Sequence, residues 1–432
     1  MPNLNSRNAE LATEKFSVHI ATTTKAIEDL RPVWQNWTHS LDTDIDYYLH
    51  NLRTDPTIVR PYVITVCEAG IAQAMLVGLL TKRKASAVVS FVSIPGPTAR
   101  ILEIVNGGRV GGQSAAIDKL IALQLSMAIK CEKVDFLCFQ RLPINSELLT
   151  QVHQVPKLGF KQRLGHTIYD PVLSLTARDG KRAPVFSGKI LREVRRKSRN
   201  LQRAFPTKTR FKCFSDPAEL DGGVRDAIAT AAATWQYPLG YGLLNTLRVR
   251  EGFKFFAKQG WLRIYVLYVD DLPCAFLIGQ LYKDTFYCQY AGYRSSFARF
   301  SVGSLLTAWA LESLAEAGVQ QVDLGDGSQE YNHRQGCETR ETVRLHIYSP
   351  TVRSFLISLF FATTQIARAA VRRIASELGL NRIGKIWRDF LVTSSTRRHQ
   401  DLRSPVSLTE DRWAGPTKWA RLQVQLHRRR MR

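Results

Sequence analysis

Two short segments in the second half of this 432-residue chain combine residue types that could do chemistry. The first, Arg299-Phe300-Ser301-Val302-Gly303-Ser304, leads into a predicted helix. The unpaired amides and the dipole of a helix N-terminus attract anions, and a glycine allows close backbone approach. The segment therefore predicts either an ordinary tight turn or a phosphate-binding loop formed by Arg299, Ser301, Gly303 and Ser304.

The second segment, Val322-Asp323-Leu324-Gly325-Asp326-Gly327, follows a predicted apolar strand. Two carboxylates at a strand end, beside two glycines, suit a site that needs a proton acceptor and accessible backbone. The same residues are also typical of a turn capped by Asp323. Asp323 and Asp326 are therefore candidate catalytic bases, with the turn as the alternative.

The elements that would position these segments follow the order β-α-α-β-β-β-loop-α-β, and this order occurs twice. In the first copy, the glycines of 107–112 precede the predicted helix 114–130. The fold class is α/β (α+β): two tandem domains, each with a mixed, mostly antiparallel sheet flanked by helices. The predicted divisions are a disordered lead 1–15, an N-terminal domain 16–176, a basic linker and helix 177–209, a C-terminal domain 210–349, a helical extension 350–392 and a basic tail 393–432.

The net charge of +23 is concentrated in two segments. Residues 178–212 hold 13 Lys/Arg against 2 Asp/Glu, and residues 351–432 hold 17 against 5, which gives +11 and +12. Local basic patches indicate an anionic partner. In the predicted helix 352–378, one face is apolar, and it either contacts an anionic membrane surface or packs in the core. This face comprises Val352, Phe355, Leu356, Leu359, Ile366 and Ala370.

Several classes of protein are disfavoured by composition. The seven cysteines have no CxxC spacing and the nine histidines no HxxxH or HExxH pair, so we predict neither disulfides nor a metal site. The N-terminal residues have no apolar signal segment. The apolar run between Arg353 and Arg368 is shorter than the roughly 20 residues that cross a bilayer. We therefore expect a cytoplasmic protein, soluble or peripheral at the inner face of the membrane.

Residues 187–349 resemble the GNAT-type acetyltransferase domain of bacterial proteins linked to cellulose and exopolysaccharide biosynthesis. They are more distantly similar to the Fem-type peptidoglycan aminoacyltransferases. The first half is similar only in its element order, as expected for the degenerate first copy of a tandem GNAT chain. The resemblance is carried by the basic helix 187–205, the strand pair 265–276, Tyr290-Ala291-Gly292-Tyr293, the loop 297–306, the turn 323–327 and Tyr331-Asn332-His333-Arg334.

The sequence departs from the GNAT pattern in three places, one of which is Asn332, where a basic residue often follows the late tyrosine; Arg334 lies nearby. The usual phosphate motif, Gln/Arg-x-x-Gly-x-Gly/Ala, is not met, because Phe300 stands three residues before Gly303 and Leu305 two after it. The predicted strand 285–293 also has no internal carboxylate that could act as a base.

The resemblance implies acetyl-CoA or another acyl-CoA as co-substrate, no metal, and direct attack by the acceptor in a ternary complex. It places the pyrophosphate on the 301–304 loop, assigns the base to Asp323 or Asp326, and makes Tyr331 the acid that protonates the sulfur. The acceptor would be a sugar, a polysaccharide precursor or an amine. Candidate substrate-binding residues are Trp235, Tyr237, Tyr241 and Tyr290; the first three could instead anchor their loop to the core.

Two other functions remain open at this level. A Fem-type enzyme using aminoacyl-tRNA would explain the basic helix 187–205, although the chain has no coiled-coil hairpin insertion. A non-catalytic protein that binds a membrane or a nucleic acid would explain the basic C-terminal segment. On the acyltransferase interpretation the first half is structural, and a fragment beginning near residue 180 would bind CoA.

Overall fold

A computed structural model describes most of the chain up to residue 377. The described residues are 15–37, 40–89, 92–154, 160–176, 186, 188–206, 209–234, 236–237, 242–325 and 338–377.

The described part of the first half has six strands and five helices, with a 3-10 turn at Leu41–Thr43. They are β1 (Phe16–Ala21), α1 (Thr24–Asp29), α2 (Arg31–Gln35), α3 (Ile45–Thr54), β2 (Ile58–Glu68), β3 (Ile71–Val89), β4 (Val92–Gly111), α4 (Ala115–Cys131), β5 (Phe136–Pro143), α5 (Glu147–Gln154) and β6 (Phe160–Ser174).

The second half repeats this order and ends in a long helix. Its elements are α6 (Gly188–Ala204), β7 (Thr209–Phe214), α7 (Pro217–Ala231), α8 (Leu247–Lys258), β8 (Leu262–Val269), β9 (Leu272–Tyr282), β10 (Thr285–Tyr293), a 3-10 turn (Ser295–Phe300), α9 (Val302–Glu316), β11 (Gln321–Asp323), β12 (Glu338–Tyr348) and α10 (Val352–Glu377).

The strands form one twelve-stranded sheet in the order β1-β2-β3-β4-β5-β12-β6-β11-β10-β9-β8-β7. In each half, one neighbouring pair is parallel: β4 with β5, and β10 with β11. The other neighbours are antiparallel. The predicted fold class, with two mixed and mostly antiparallel halves flanked by helices, is confirmed.

The two halves exchange strands where they meet. β12, from the end of the second half, lies between β5 and β6, so that Ile347 pairs with both Leu137 and Lys161. β6, from the end of the first half, pairs with β11 of the second, with Leu173 opposite Val322. The predicted division at 176/177 therefore separates β6 from a strand to which it is hydrogen-bonded.

Helices cover both faces of the sheet. In the first half, α4 buries Ile121 and Leu125 on one face, while α1 to α3 and α10 lie on the other. In the second half, α9 covers one face and α7 with α8 cover the other. The basic helix α6 turns an apolar stripe inward: Leu201 is buried, and Ile190 and Val194 pack against the α9 core.

Candidate functional site

The strands β10 and β11 pair along only the first part of β10. Among the described residues the pairing runs from Thr285 to Tyr287 against Gln321 to Asp323, which leaves an opening beside β10 from there to Tyr293. Just beyond, the register of β10 with β9 shifts between Cys288 and Tyr290, so Gln289 is the extra residue of a β-bulge. A bulge interrupts the ladder and leaves a backbone amide outside it. The opening between the strands therefore starts beside unpaired backbone.

The N-terminus of α9 lies at the far end of this opening. Ser301 precedes the helix in the left-handed region, with φ 55° and ψ 38°, and its side chain does not cap the helix. The first helical bond is donated by Leu305 to Ser301 at 3.1 Å. Because the first turn of α9 contains no acidic residue, its amides and dipole meet no internal counter-charge there.

Gly303 sits where this helix end meets β10. A Cβ atom at Gly303 would lie 3.0 Å from the Tyr293 ring. A cavity of about 230 Å³ adjoins it, lined by Thr234, Gln236, Tyr293, Gly303, Ser304 and Thr307 among others. Three of the predicted phosphate-loop residues, Ser301, Gly303 and Ser304, thus lie together, whereas Arg299 is exposed with its guanidinium 4.6 Å from the Phe300 ring.

Asp323 takes the position expected for it at the end of β11. Its Oδ1 accepts a hydrogen bond from the Gly325 amide at 2.8 Å, so it does cap a turn. Gly325 has φ +65°, and a Cβ there would lie 3.4 Å from the Cys288 carbonyl, beside the bulge. Asp323 therefore caps a turn, as one interpretation predicted, and also lies at the opening between the strands, as the other required.

A second carboxylate reaches this region from the first half. Asp42, in the 3-10 turn before α3, accepts a hydrogen bond from Asn106 Nδ2 at 3.1 Å. Burial raises the pKa of the Asp42 carboxyl, Asn106 and the positive Arg141 lower it, and the negative charge of Asp323 raises it again. Asp42 and Asp323 are therefore close enough for their charges to interact.

Tyr287 completes this group, which we call the interdomain polar cluster: Asp42, Asn106, Tyr287 and Asp323. Burial raises the pKa of Tyr287, a contact with the Leu41 backbone lowers it, and the charges of Asp323 and Asp42 raise it further. Sequence reasoning missed Asp42 and Asn106, because they lie in the half that lacks the GNAT motifs. No local signal in the sequence marks either residue.

A cleft of about 280 Å³ opens between the halves next to this cluster. The first half contributes Tyr47, His50 and Asn51 from α3, and the second contributes Arg248 from α8 and Tyr290 from β10. The cleft is fixed by contacts across the halves: Tyr282 donates to Asp44 Oδ2 at 3.0 Å, and Arg248 pairs with Asp55 at 2.9 Å.

Two groups in the cleft have shifted pKa values. Burial, followed by the positive Arg53, lowers the pKa of His50, which therefore stays neutral at neutral pH. Burial raises the pKa of Tyr290, while Arg248 lowers it. Of the predicted substrate-binding residues, Tyr290 lines the cleft, and Tyr237 is 37% exposed beside Thr234, whose hydroxyl accepts from the Tyr237 amide.

Four predicted site residues lie outside the described residues: Trp235, Tyr241, Asp326 and Tyr331. Their assigned roles stay predictions. Within the described ranges, no three His, Cys, Asp or Glu side chains are grouped so as to hold a metal ion. Burial and the negative Asp323 raise the pKa of Cys288 to about 12, so this cysteine holds its proton at neutral pH and is a poor nucleophile.

The corresponding loop of the first half is closed by its own side chains. Arg109 Nε contacts Asp118 Oδ1 at 2.6 Å, and Nη1 donates to the Val110 carbonyl at 2.7 Å. Nη2 donates to the Gly112 carbonyl. Asp118 stands in the first turn of α4 and is buried, so the helix N-terminus already has its anion.

Comparison with known protein families gives a match for one segment of the chain. Residues 188–333 match the acetyltransferase (GNAT) domain family. No curated protein shows significant sequence similarity to the chain.

Solved structures share the overall fold at low similarity. The C-terminal domain of a lysylphosphatidylglycerol synthetase, described as putative, from Agrobacterium fabrum covers 83% of this chain and 96% of its own, at 14% identity and a TM-score of 0.46. FemX covers 84% and 99%, at 11% identity and 0.46. A tandem GNAT protein from the clavulanic acid biosynthesis pathway covers 78% and 99%, at 11% identity and 0.43. Likeness at this level is not informative about function.

The matched segment runs from α6 through the whole of β10, α9 and β11, and thus includes the strand opening, the helix N-terminus and Asp323. The narrower resemblance to the cellulose-associated family stays a prediction. Residues 188–333, about a third of the chain, therefore match an acetyltransferase (GNAT) domain.

Proposed function

We propose that this protein transfers an acetyl or other acyl group from coenzyme A to an amino or hydroxyl group of a sugar, a polysaccharide precursor or an amine. The observation that carries the proposal is the N-terminus of α9, which has no internal anion and faces the opening between β10 and β11 within the GNAT segment.

The donor would bind with its pyrophosphate on the amides of Val302, Gly303 and Ser304. The residues fit such a group, because Gly303 places no side chain over the helix end and no acidic residue stands in the first turn. The Ser304 hydroxyl, which lines the adjoining cavity, can donate a further hydrogen bond, whereas the Thr307 hydroxyl already donates to the Gly303 carbonyl at 3.0 Å. The thioester would then extend along β10 toward the bulge at Gln289.

In the transfer step, the acceptor nitrogen or oxygen forms a bond to the thioester carbonyl carbon, and the carbon–sulfur bond breaks. The acceptor's proton passes to a carboxylate, and the leaving sulfur takes up a proton. The Gln289 amide, outside the strand ladder, is placed to donate to the carbonyl oxygen as it gains charge. Tyr331 keeps its predicted role as the acid.

We assign the base to the pair Asp42 and Asp323. A carboxylate suits the role of general base better when its pKa is raised toward the operating pH. Burial already raises the pKa of Asp42. Asp323 keeps its predicted role and gains Asp42 of the first half as a partner. Asp326 remains the predicted alternative base.

The acceptor would occupy the cleft between the halves. Tyr47 and Tyr290 supply aromatic rings, while Asn51, Arg248 and neutral His50 supply polar groups. Aromatic rings combined with a few polar groups suit a sugar ring, which has apolar faces and hydroxyl edges. This composition favours a carbohydrate acceptor and is consistent with the proposed link to polysaccharide biosynthesis.

A second candidate is transfer from aminoacyl-tRNA, which the basic face of α6 favours. Arg192, Arg195, Arg196, Arg199 and Arg203 are exposed. Near the end of α6, Phe205 contacts the rings of Phe297 and Phe300 just before the α9 loop. An RNA phosphate backbone could therefore lie beside the donor site, and its binding would weaken steeply with salt.

Thermal unfolding of the whole chain with free CoA, acetyl-CoA, longer acyl-CoAs and aminoacyl-tRNA tests the donor. At a ligand concentration of about 100 times Kd, site-specific binding stabilises the folded state by about 2.7 kcal/mol. We expect this response with acyl-CoA. A response to aminoacyl-tRNA alone would establish the second candidate, and no response to either would contradict both.

Transfer assays with a panel of amino sugars and oligosaccharides test the base. Asp42→Asn and Asp323→Asn should each lower kcat about 100-fold, the range expected for loss of a general base. Asp46→Asn is the matched control, because Asp46 lies close by but forms a surface ion pair with Arg31 at 2.9 Å. Full activity in Asp42→Asn would show that Asp42 of the first half is not part of the general base.

A further inference from the structure

The long C-terminal helix α10 has the opposite orientation from a usual amphipathic surface helix: its apolar face points outward and its polar face inward. Its outward face is apolar: Ile366 is 69% exposed and Phe355 62%, and Val352, Leu356, Leu359 and Ile374 are exposed with them. These residues include five of the six that the sequence placed on one stripe. A helix on a protein surface normally turns such a stripe toward the core.

The inward face of α10 carries polar residues instead. Ser354, Ser358 and Thr364 are buried, and their hydroxyls are satisfied locally. Ser354 bonds to Ser349 at 2.9 Å, while Ser358 and Thr364 donate to carbonyls one turn back at 2.8 and 2.9 Å. Only Ile357, Phe360 and Phe361 contribute to the apolar cluster under the helix. The orientation is therefore built into the packing.

One ion pair, a hydrogen bond and ring contacts hold α10 on the sheet. Arg353 pairs with Asp135 at 2.9 Å and also donates to the Thr98 carbonyl. Phe361 packs edge-on against Phe136 and His346. The expectation that this segment is too short to cross a membrane is corrected here: counted with Arg353 and Arg368, the stretch Val352–Val371 is long and apolar enough by length and composition, with a mean hydropathy of 1.4. A crossing would break these contacts, so the helix is suited to lie in the plane of a membrane surface.

The surroundings of α10 are positively charged. A cavity of about 280 Å³ under its middle is lined by Arg83, Lys84, Arg344 and Arg368 against one carboxylate, Glu103. The sequence after residue 377 adds 13 Lys/Arg against 4 Asp/Glu. A second copy of the chain, or this C-terminal segment folding back, would bring like charges together. The positive charge therefore favours an anionic partner for this surface. The exposed apolar face of α10 does not suit a nucleic acid duplex, which offers no apolar surface to cover it.

We propose that the outward face of α10 docks on the surface of an anionic lipid bilayer, with its apolar side chains among the acyl chains and the cations beside it at the headgroups. Basic amphipathic helices bind membranes through this combination of buried apolar area and attraction to anionic lipids. The proposal does not depend on the acyl donor, since binding is measured on the protein alone.

Co-sedimentation of the whole chain with phosphatidylcholine vesicles and with 70:30 phosphatidylcholine–phosphatidylglycerol vesicles tests the proposal. The triple substitution Phe355→Gln, Leu359→Gln, Ile366→Gln should weaken binding to the anionic vesicles about tenfold or more. The matched control is Leu123→Gln, Met127→Gln, which removes two exposed apolar side chains from α4 and should leave binding unchanged. Neutral vesicles should bind much less than anionic ones.

Several results would overturn the proposal: no binding by the unmodified chain, equal binding by the triple variant, or equal binding to neutral vesicles. If deletion of residues 392–432 abolishes vesicle binding while the triple variant still binds normally, membrane binding belongs to the basic tail and not to α10. A dimer that dissociates in the triple variant would assign the face to a second copy. If the triple variant unfolds, Phe355→Trp replaces it; the quenching by brominated lipids that this substitution adds over the unmodified chain, which has eight tryptophans, must exceed the quenching that Met127→Trp adds.

Discussion

The two halves of the molecule use the same strand–loop–helix unit in opposite ways. In the first half, Arg109 bridges the carbonyls of Val110 and Gly112 to the buried Asp118, so the N-terminus of α4 is neutralised from within. In the second half, the N-terminus of α9 has no acidic residue in its first turn, and Ser301 does not cap it. Glycine-containing loops of similar appearance can therefore serve stability in one copy and ligand binding in the other.

This comparison also shows where the first half still takes part. The N-terminus of α4 is not open like that of α9, but the first half contributes Asp42 to the interdomain polar cluster and Tyr47, His50 and Asn51 to the cleft. The first half thus forms one wall of the candidate site.

The largest effect is expected from separating the halves. A fragment of residues 177–432 lacks β6, which leaves β11 unpaired on one side and β12 without either neighbour. We expect it to show no cooperative thermal unfolding, contrary to the binding that the sequence alone suggests for a fragment starting near residue 180. Co-expression with residues 1–176 should restore a folded complex. A stable, CoA-binding fragment would show that the strand exchange is dispensable.

Arg109→Gln tests the closed loop. Removing the partner of the buried Asp118 should lower the free energy of unfolding by about 3–5 kcal/mol, because an uncompensated charge remains in the interior. Denaturant unfolding measures the loss, and the double variant Arg109→Gln, Asp118→Asn should recover much of it. Transfer activity per folded molecule should be nearly unchanged; a fall as large as that in Asp323→Asn would reverse the roles given to the halves.

His346 tests whether β12 is a core strand of the first half. The side chain is buried among Phe136, Tyr348 and Phe361. Burial, and secondly the positive Arg344, lowers its pKa to about 3. Below pH 6.5 the unfolded chain takes up a proton that the folded protein refuses, so stability falls as pH falls, until about pH 3.

This single group should cost about 2 kcal/mol of stability between pH 7 and pH 5. Denaturant unfolding at the two pH values measures it. In His346→Gln the drop should shrink by that amount, whereas His19→Gln, on the exposed face of β1, serves as the control. An identical drop in His346→Gln would mean that β12 is not buried in this way.

The smallest expected effect compares two glycines. Gly303→Val places a branched side chain against the Tyr293 ring, where even a Cβ would lie at 3.0 Å, and should weaken CoA binding about tenfold, or 1.4 kcal/mol. Gly112→Val meets only the Gln73 carbonyl, at 3.4 Å, and should leave affinity unchanged. Calorimetric titration separates the two. Equal affinities would remove the α9 loop from donor binding.

Much of the fold could be predicted because it depends on local patterns. The alternation of apolar residues located most strands of both halves, and the period of 3.6 located α4, α6 and α10. Helical spacing extends from residue 24 to 39 and by itself indicates one helix, but the structure has two short helices there, α1 and α2, with Pro32 in the first turn of the second. β12 went unpredicted, because charged residues in its first half obscure the alternation.

The candidate site was predictable only in part. Gly303, Ser304 and Asp323 stood out because glycine, hydroxyl and carboxylate groups at strand and helix ends have few structural uses. Asp42 and Asn106 did not, since an Asp before a helix and an Asn in a strand occur throughout proteins. They acquire a role only because the sheet brings the first half against β10 and β11.

The sequence by itself determined the order of elements, the GNAT character of the second half, the location of the charge and the apolar stripe of α10. These features reside in residues close together along the chain, where spacing alone fixes which side chains share a face. Tertiary structure decided which strands pair across the halves, which helix N-terminus stays open, and which way that stripe points. Those outcomes depend on contacts between distant segments: Arg109 with Asp118 closes one loop, and Arg353 with Asp135 turns the polar face of α10 inward.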